Sequence, residues 1–389
     1  MTHLAVYGVG QGLDGREAAM QATQKALDQL GALRPSLAIA LVSEEYAPAE
    51  VAAGLSSLLG DTPLWGFGAV RLVSENAERQ RAVLVALLSA TDVKAQVHWW
   101  PNFAAEGQET TRQVVRSLRS DLVLPQAVLL AADGVNGSLA PVCAALTDLP
   151  SVIAGCLASG GYTSGKTYLL ARNQTGHGGL TTTALGGRFR LGVGMAHGWA
   201  DTGLVFTVTR ARDVWVHEID STPAADLYAR HFGRPAREWA FPPLTELARL
   251  YPFGVESYPG SPDLLLRSPL RVEVDGSLRM SAAIPEGATA HLMLGDPQAC
   301  LKAAENAVTQ ALLSLDTARP MLALAFIDLS WLQLFGARSP QVPETIQEAL
   351  GSIPLVGAYT LGQVARPAYA ATPEIYNQAI QILIIGYQE

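Results

Sequence analysis

Apolar residues in this chain fall into two kinds of run. Unbroken blocks occur at Leu37–Val42 and Leu322–Ile327. Blocks of that length without polar alternation read as strands buried on both faces. The second kind is a stripe of small residues at helical spacing: Ala18, Ala22 and Ala26 with Leu27 and Leu30, and again Ala303, Ala307 and Ala311 with Leu312 and Leu315. Recurrence at three and four predicts a helix, and alanine on the inner face lets it lie close to a sheet. Arg34-Pro35 and Arg319-Pro320 stop these helices ahead of the buried strands.

The two stretches are copies. Ala18–Ser43 and Ala303–Asp328 align without a gap, with eleven of twenty-six positions identical. After a length difference the match resumes at Pro63-Leu64-Trp65-Gly66 and Pro354-Leu355-Val356-Gly357. Self-similarity at this spacing excludes a solenoid and predicts equivalent strand-helix-strand units at the two chain ends. Leu4–Val9 and Thr289–Leu294 are the apolar runs ahead of each helix, followed in register by Gly10 and Gly295. A fainter third relative lies between them: Pro125 precedes Asp133 as Pro320 precedes Asp328 and Pro35 precedes Ser43, and Gly155 stands where Gly66 and Gly357 stand. Chance is a rival explanation for so short a match.

The pattern changes from Ser151 to Asp220. Thr181–Leu185, Phe189–Val193, Leu204–Thr209 and Val214–Ile219 are short and punctuated by turn residues, which predicts antiparallel strands and hairpins. Thr222-Pro223 predicts the start of a short helix. Prolines crowd the stretch 233–263, the expected connection between lobes.

Composition narrows the picture. A chain of 389 residues predicts two domains, and 16 % charged with 49 % apolar residues suits sheets covered on both faces. A net charge of −8 argues against nucleic acid. No apolar run is long enough to span a membrane. The start MTHLAVYGVG lacks a basic segment followed by an apolar core, and Cys143, Cys156 and Cys300 are odd in number and far apart. The expectation is a cytoplasmic protein with buried thiols.

Gly160-Gly161-Tyr162-Thr163-Ser164-Gly165-Lys166-Thr167 satisfies a phosphate-loop pattern, in which Lys166 and backbone amides would hold phosphates and Thr167 a magnesium ion. That reading needs a helix next, and Tyr168–Arg172 is too short before another glycine-rich turn. A glycine-rich hairpin is the competing reading. Asp133 and Asp328, at the ends of apolar strands, are helix caps or pocket groups. The seven histidines form no metal-ligand spacing, and no nucleophile elbow occurs. His177 and His197 lie in glycine-rich stretches that could approach each other.

Several short motifs together resemble the FIST family, a two-part sensory module. In the N-terminal part they are Pro35–Ser43, Thr62-Pro63-Leu64-Trp65-Gly66, Val152–Ala158, Val208-Thr209-Arg210-Ala211 and Val216–Asp220. In the C-terminal part they are Pro252-Phe253-Gly254, Leu266-Arg267, Val274–Leu278, Ile284–Gly287 and Pro354–Gly362. The resemblance implies FIST N-terminal-like and C-terminal-like domains at 1–232 and 233–389. It also implies a non-enzymatic sensor that binds a small molecule, amino acids among the candidates, and signals through a separate partner protein. The chain departs from the family at Gly362-Gln363-Val364, at Asp328-Leu329-Ser330 and at Asn377-Gln378-Ala379. The expected fold is α+β, two related lobes of mixed sheet covered by helices. The expected pocket lining is Ser43, Asp133, Arg267, Asp328, Tyr359 and Gln363, with no metal or cofactor. The alternatives are a haem-binding gas sensor with an axial histidine and an NTP-using enzyme at Lys166.

Overall fold

The structure is a computed structural model that describes residues 4–90, 92–120, 125–241, 244–256, 264–366 and 372–388. The chain makes the same circuit three times. The first comprises β1 (Leu4–Gly10), α1 (Gly15–Leu30), β2 (Leu37–Ser43), α2 (Pro48–Leu59) and β3 (Leu64–Ala69), then a hairpin of β4 (Leu72–Ser74) and β5 (Ala77–Arg79), then β6 (Val83–Ser89). The second comprises β7 (Lys94–Trp100), α3 (Gly107–Ser120), β8 (Ala127–Asp133), α4 (Ala140–Ala145) and β9 (Val152–Ala158), the hairpin β10 (Tyr168–Ala171) and β11 (Gln174–His177), and β12 (Leu180–Gly186).

The third begins with β13 (Phe189–His197) and is interrupted at once. The insertion runs through β14 (Trp199–Arg212), β15 (Trp215–Ile219), β16 (Thr222–Pro223), α5 (Asp226–Phe232), α6 (Leu244–Leu247) and β17 (Phe253–Glu256). It continues with β18 (Leu264–Arg267), β19 (Pro269–Val272), β20 (Leu278–Met280) and β21 (Thr289–Gly295). The circuit then resumes with α7 (Pro297–Ser314), β22 (Arg319–Asp328), α8 (Leu329–Phe335), α9 (Gln341–Leu350) and β23 (Leu355–Thr360). It ends with the paired strands β24 (Gly362–Ala365) and β25 (Glu374–Tyr376), and β26 (Ala379–Tyr387).

Each circuit builds one four-strand sheet, in the orders β1-β6-β2-β3, β7-β12-β8-β9 and β13-β26-β22-β23. In each, the helix-linked pair is parallel, and its register sets Ser43 beside Ala69, Asp133 beside Ala158 and Asp328 beside Thr360. The hairpins are exchanged in a ring. β10–β11 extends the first sheet through β3, β24–β25 extends the second through β9, and β4–β5 extends the third through β23. Each six-stranded sheet is therefore completed by a neighbouring circuit, which covers an edge that would otherwise be open. The weak middle match in the sequence thus corresponds to a full circuit of the same connectivity.

Alternation within the strands separates two cores. Ile39 and Leu41 face an interior shared by all three sheets, where Trp65, Phe67 and Phe326 meet with ring centroids 5.7–6.3 Å apart. Ala38, Ala40 and Val42 face α1 and α2. The alanine stripe explains the closeness of that outer layer: a Cβ at Gly8 would lie 2.0 Å from the Ala22 carbonyl oxygen, and one at Gly194 would lie 1.8 Å from that of Ala307. Asp14 and Asp296 start the two long helices by accepting from Glu17 N and Ala299 N.

Two local expectations differ from the structure. β21 precedes α7 as β1 precedes α1, yet the strand that plays the part of β1 in the third sheet is β13. β21 instead pairs with β14 and β17 in the inserted sheet. Thr222-Pro223 does not open a helix: it pairs with Glu218 and Ile219, and α5 begins at Asp226. The insertion forms an eight-stranded sheet, with strands on both sides of residue 232. In its own core Tyr228 stacks with Trp239 and Phe253, and Phe206 meets Phe253 edge-on. Trp239 lies in the proline-crowded stretch, so that part of it is a covering layer of this lobe. Residues 242–243 and 257–263 of the stretch fall outside the described residues.

Candidate functional site

Ser43, Asp133 and Asp328 end the equivalent strands β2, β8 and β22, and all three are buried. Their tasks differ. Ser43 Oγ accepts from Ala82 N at 2.8 Å, tying β2 to the start of β6. The Asp133 carboxylate accepts from Val135 N, Asn136 N and Gly178 N, each at 2.8 Å, and from the Asn136 side-chain amide. It therefore shapes the loop after β8 and clamps that loop to the end of β11. Asp328 caps α8, accepting from Ser330 N at 3.0 Å and Ser330 Oγ at 2.7 Å. Burial pushes its pKa up, against the pull of the bonds from Ser330 and Gln378.

The other three expected residues lie in the joints between circuits. The Tyr359 hydroxyl donates to Glu78 at 2.7 Å, and Glu78 also holds Arg71 and Ser339. Gln363 Nε2 donates to Thr360 Oγ1 at 3.0 Å. Arg267, 5 % exposed, donates to the Ile375 carbonyl at 2.7 Å and pairs with Glu374 at 3.2 Å, fastening the inserted lobe to β25. Asp328, Thr360 and Gln363 gather at one strand-end region. Ser43 stands apart in the first sheet.

Gln378, marked in the sequence only as part of a departure from the family at Asn377-Gln378-Ala379 and not as a site residue, organises that region. Its backbone is left-handed, with φ of +59°. Its backbone amide reaches Asp328, its carbonyl accepts from Trp331 Nε1 at 2.9 Å, and its side-chain amide donates to Arg249 O and Ser268 Oγ, both at 2.7 Å. A non-glycine residue held left-handed and fully buried is a strained position over-determined by its partners.

A partly enclosed cavity of about 50 Å³ lies where the carboxyl ends of β8 and β9 meet the inserted lobe. Asp133, Leu139, Leu157, Arg279, Ser281 and Ile375 are among its lining residues. Strand carboxyl ends are where α/β architecture presents ligands. Arg279 projects from β20 and donates to the Val135 carbonyl at 2.8 Å, so both lobes meet over the loop that Asp133 shapes. The cavity and Arg279 were missed in the sequence. The signal available was Asp275-Gly276, a hairpin turn with Arg271 and Arg279 on either side.

The remaining candidates are placed as follows. Tyr162–Ser164 is a single 3-10 turn, and Tyr168–Ala171 after it is a strand, so no helix N-terminus faces Gly160–Thr167. The Gly161 amide already donates to Glu44 at 2.7 Å, and Thr167 Oγ1 accepts from Gly134 N. The phosphate-loop reading is thereby removed, in favour of a loop leading into a hairpin whose turn is at Arg172-Asn173. His177 and His197 end edge strands of two different sheets, and each already engages one ring nitrogen. The three cysteines are free and buried, and burial pushes the Cys143 and Cys300 thiols up to about 12. No group of three His, Cys, Asp or Glu among the described residues is arranged to hold a metal ion. No helix among them is long and apolar enough to cross a membrane.

The architecture defines a class: a mixed-sheet α+β protein in which an inserted β lobe sits over the carboxyl ends of parallel strands. Within that class the chain belongs to the FIST family. The FIST N domain matches residues 36–222 and the FIST C domain matches residues 224–366. FIST domains are associated with sensory signal transduction. A comparison with curated proteins finds no match. Among solved structures the chain is similar to "Structure of PurLQS from Thermotoga maritima", at 10 % identity over 99 % of this chain and 72 % of that one, with a TM-score of 0.25. It is similar also to "T. maritima PurL complexed with FGAR", at 9 % identity over the same shares and with a TM-score of 0.25. Likeness at that level carries no argument about function.

Proposed function

We propose that this chain is a non-catalytic cytoplasmic sensor that holds a small molecule at the junction between the β8–β9 strand ends and the inserted lobe. It signals the occupied state to a separate protein. The observation that carries the reading is the partly enclosed cavity under Arg279, walled on one side by the β8–β9 strand ends and on the other by the inserted lobe. Occupancy there would bear directly on how the inserted lobe sits on the three-sheet body. The surrounding carboxylates support a binding role over a chemical one. Asp133 holds three backbone amides, and Asp328 holds the Ser330 amide and hydroxyl as a helix cap. Free, buried cysteines fit a reducing compartment.

A thermal-shift screen over amino acids, organic acids, nucleotides and haem tests the reading. A ligand that binds only the folded chain stabilises it by about 2.7 kcal/mol at a hundredfold excess over its Kd. Ala282 lines the cavity and is 6 % exposed, so Ala282→Leu should fill the space and abolish the shift. A screen with no stabilised condition, or a shift unchanged in Ala282→Leu, refutes it.

A further inference from the structure

The hairpin of β19 and β20 places Arg271 directly opposite Arg279, with Trp215 of β15 next in the same cross-strand row. Like charges directly opposite each other in a sheet are destabilising. One counter-ion is present: Glu273 bonds to Arg271, which also lies over the Trp215 ring at 5.7 Å. Arg279 has no ion-pair partner among the described residues. Its Nη2 donates to Val135 O, one contact for a guanidinium that carries five donors. Burial and then the Arg271 charge lower its pKa, Glu273 offsets part of this, and the net direction is down, so the folded chain holds this cation at a cost. A half-buried guanidinium set opposite a second arginine, with one carboxylate near the two of them, at the wall of a partly enclosed cavity departs from the local rules of sheet pairing and charge burial. Such departures concentrate at functional positions.

We infer that Arg279 is an anion-recognition residue, and that the molecule sensed at this junction carries a carboxylate that docks on the guanidinium fork. This rests on the proposed sensor function and narrows its ligand class. The planar fork matches a carboxylate with two parallel hydrogen bonds, and an anion there supplies the counter-charge that the Arg271–Arg279 pair lacks. The rest of the lining favours an aliphatic body: Leu139, Leu157, Val214, Leu270, Met280 and Ile375 surround the polar end. A volume of about 50 Å³ is far below that of a drug-sized pocket. The carboxylate end alone fits the closed form, and a longer chain requires the 134–139 loop to move. Gly134 and Gly137 lie in that loop, and Gly137 has φ of +83°.

The test uses the full chain and short probes: formate, acetate and propionate against propionamide, propylammonium and phosphate, at matched ionic strength. Thermal shift is read beside hydrogen exchange of the 134–139 and 278–281 amides. The carboxylates are expected to stabilise the protein and protect both segments. In Arg279→Gln the concentration needed should rise roughly 10- to 100-fold, the loss of one bidentate charge-assisted contact. Arg279→Lys should fall between, and Arg190→Gln, which removes an exposed cation on β13, should bind like wild type. Unliganded Arg279→Gln should melt at or above the wild-type temperature, because the like-charge opposition is relieved. A marked loss of stability there would make Arg279 structural and overturn the inference. So would a carboxylate response that persists in Arg279→Gln, or a response to phosphate alone. Protection of the same segments by propionamide or propylammonium, without carboxylate binding, overturns the anionic ligand class and leaves the sensor reading standing. Silence from every probe counts against both.

Discussion

Replacing Asp133 by alanine removes the acceptor on which the loop after β8 is built. The residue is 3 % exposed, and three backbone amides reach it at 2.8 Å. Hydrogen bonds to a charged partner contribute about 1.5–3 kcal/mol each, so three sum to at least about 4.5 kcal/mol. The donor residues Val135, Asn136 and Gly178 are only partly buried, so water recovers a share of this. The net cost expected is about 3–4 kcal/mol. Asp133→Asn keeps an oxygen for Val135 and Asn136 but opposes an amide to Gly178, and should cost about half as much. Global melting is a poor readout in a chain with several cores, because two-state behaviour is not assured. Hydrogen exchange at 135, 136 and 178 is local. A loss of about 3 kcal/mol appears there as a more than hundredfold rise in opening, tenfold per 1.4 kcal/mol. A rise below about tenfold in Asp133→Ala would refute the clamp. An Asn variant as damaged as the Ala variant would show that charge, not the two retained bonds, dominates.

Other expectations follow from the same geometry. A Cβ on Gly155 would lie 2.0 Å from Leu130 O, where real contacts stay above 3.0 Å, so Gly155→Ala should lose more than about 3 kcal/mol. Gly66→Ala and Gly357→Ala, at 2.2 and 2.4 Å from the equivalent carbonyls, should behave alike, and an unchanged melting temperature in any of the three refutes the register argument. Tyr359→Phe should cost about 1–2 kcal/mol. A double-mutant cycle with Glu78→Gln should show coupling, and additive losses would dissolve the brace. Asp328 has a folded pKa raised by burial, so between the ordinary carboxylate value and that raised value the native state holds more protons than the unfolded one. Stability contributed there falls as pH rises through this window. Asp328→Asn retains an oxygen for Ser330 and should flatten that slope, measured by denaturation across pH; an unchanged slope assigns the effect elsewhere.

Legibility tracked the range of the interaction. The buried strands ending at Ser43 and Asp328 were readable because burial on both faces leaves an unbroken apolar block, and the alanine-faced helices because burial on one face imposes a period of 3.6; the β12–β15 strands were readable from short runs between turn residues. The equivalence of Ser43, Asp133 and Asp328 was readable because copies keep their packing residues. Strand partnership was not. Thr289–Leu294 has the pattern and position of a first strand, and only the competition between β13 and β21 for the third sheet settles which one joins it. Gln378 carries no local mark of its left-handed backbone, since the strain is paid by Asp328, Trp331, Ser268 and Arg249, all distant in sequence.

By itself the amino-acid sequence determined the repeated strand-helix-strand unit, the mixed-sheet class and membership of the FIST family, because each depends on residues close together or on their order. Tertiary structure alone decided the ring of exchanged hairpins, the insertion that splits the third circuit, and the meeting of Arg279 with the Asp133 loop. Those rest on which edge pairs with which and on where an unpaired charge comes to lie, and no local period encodes either.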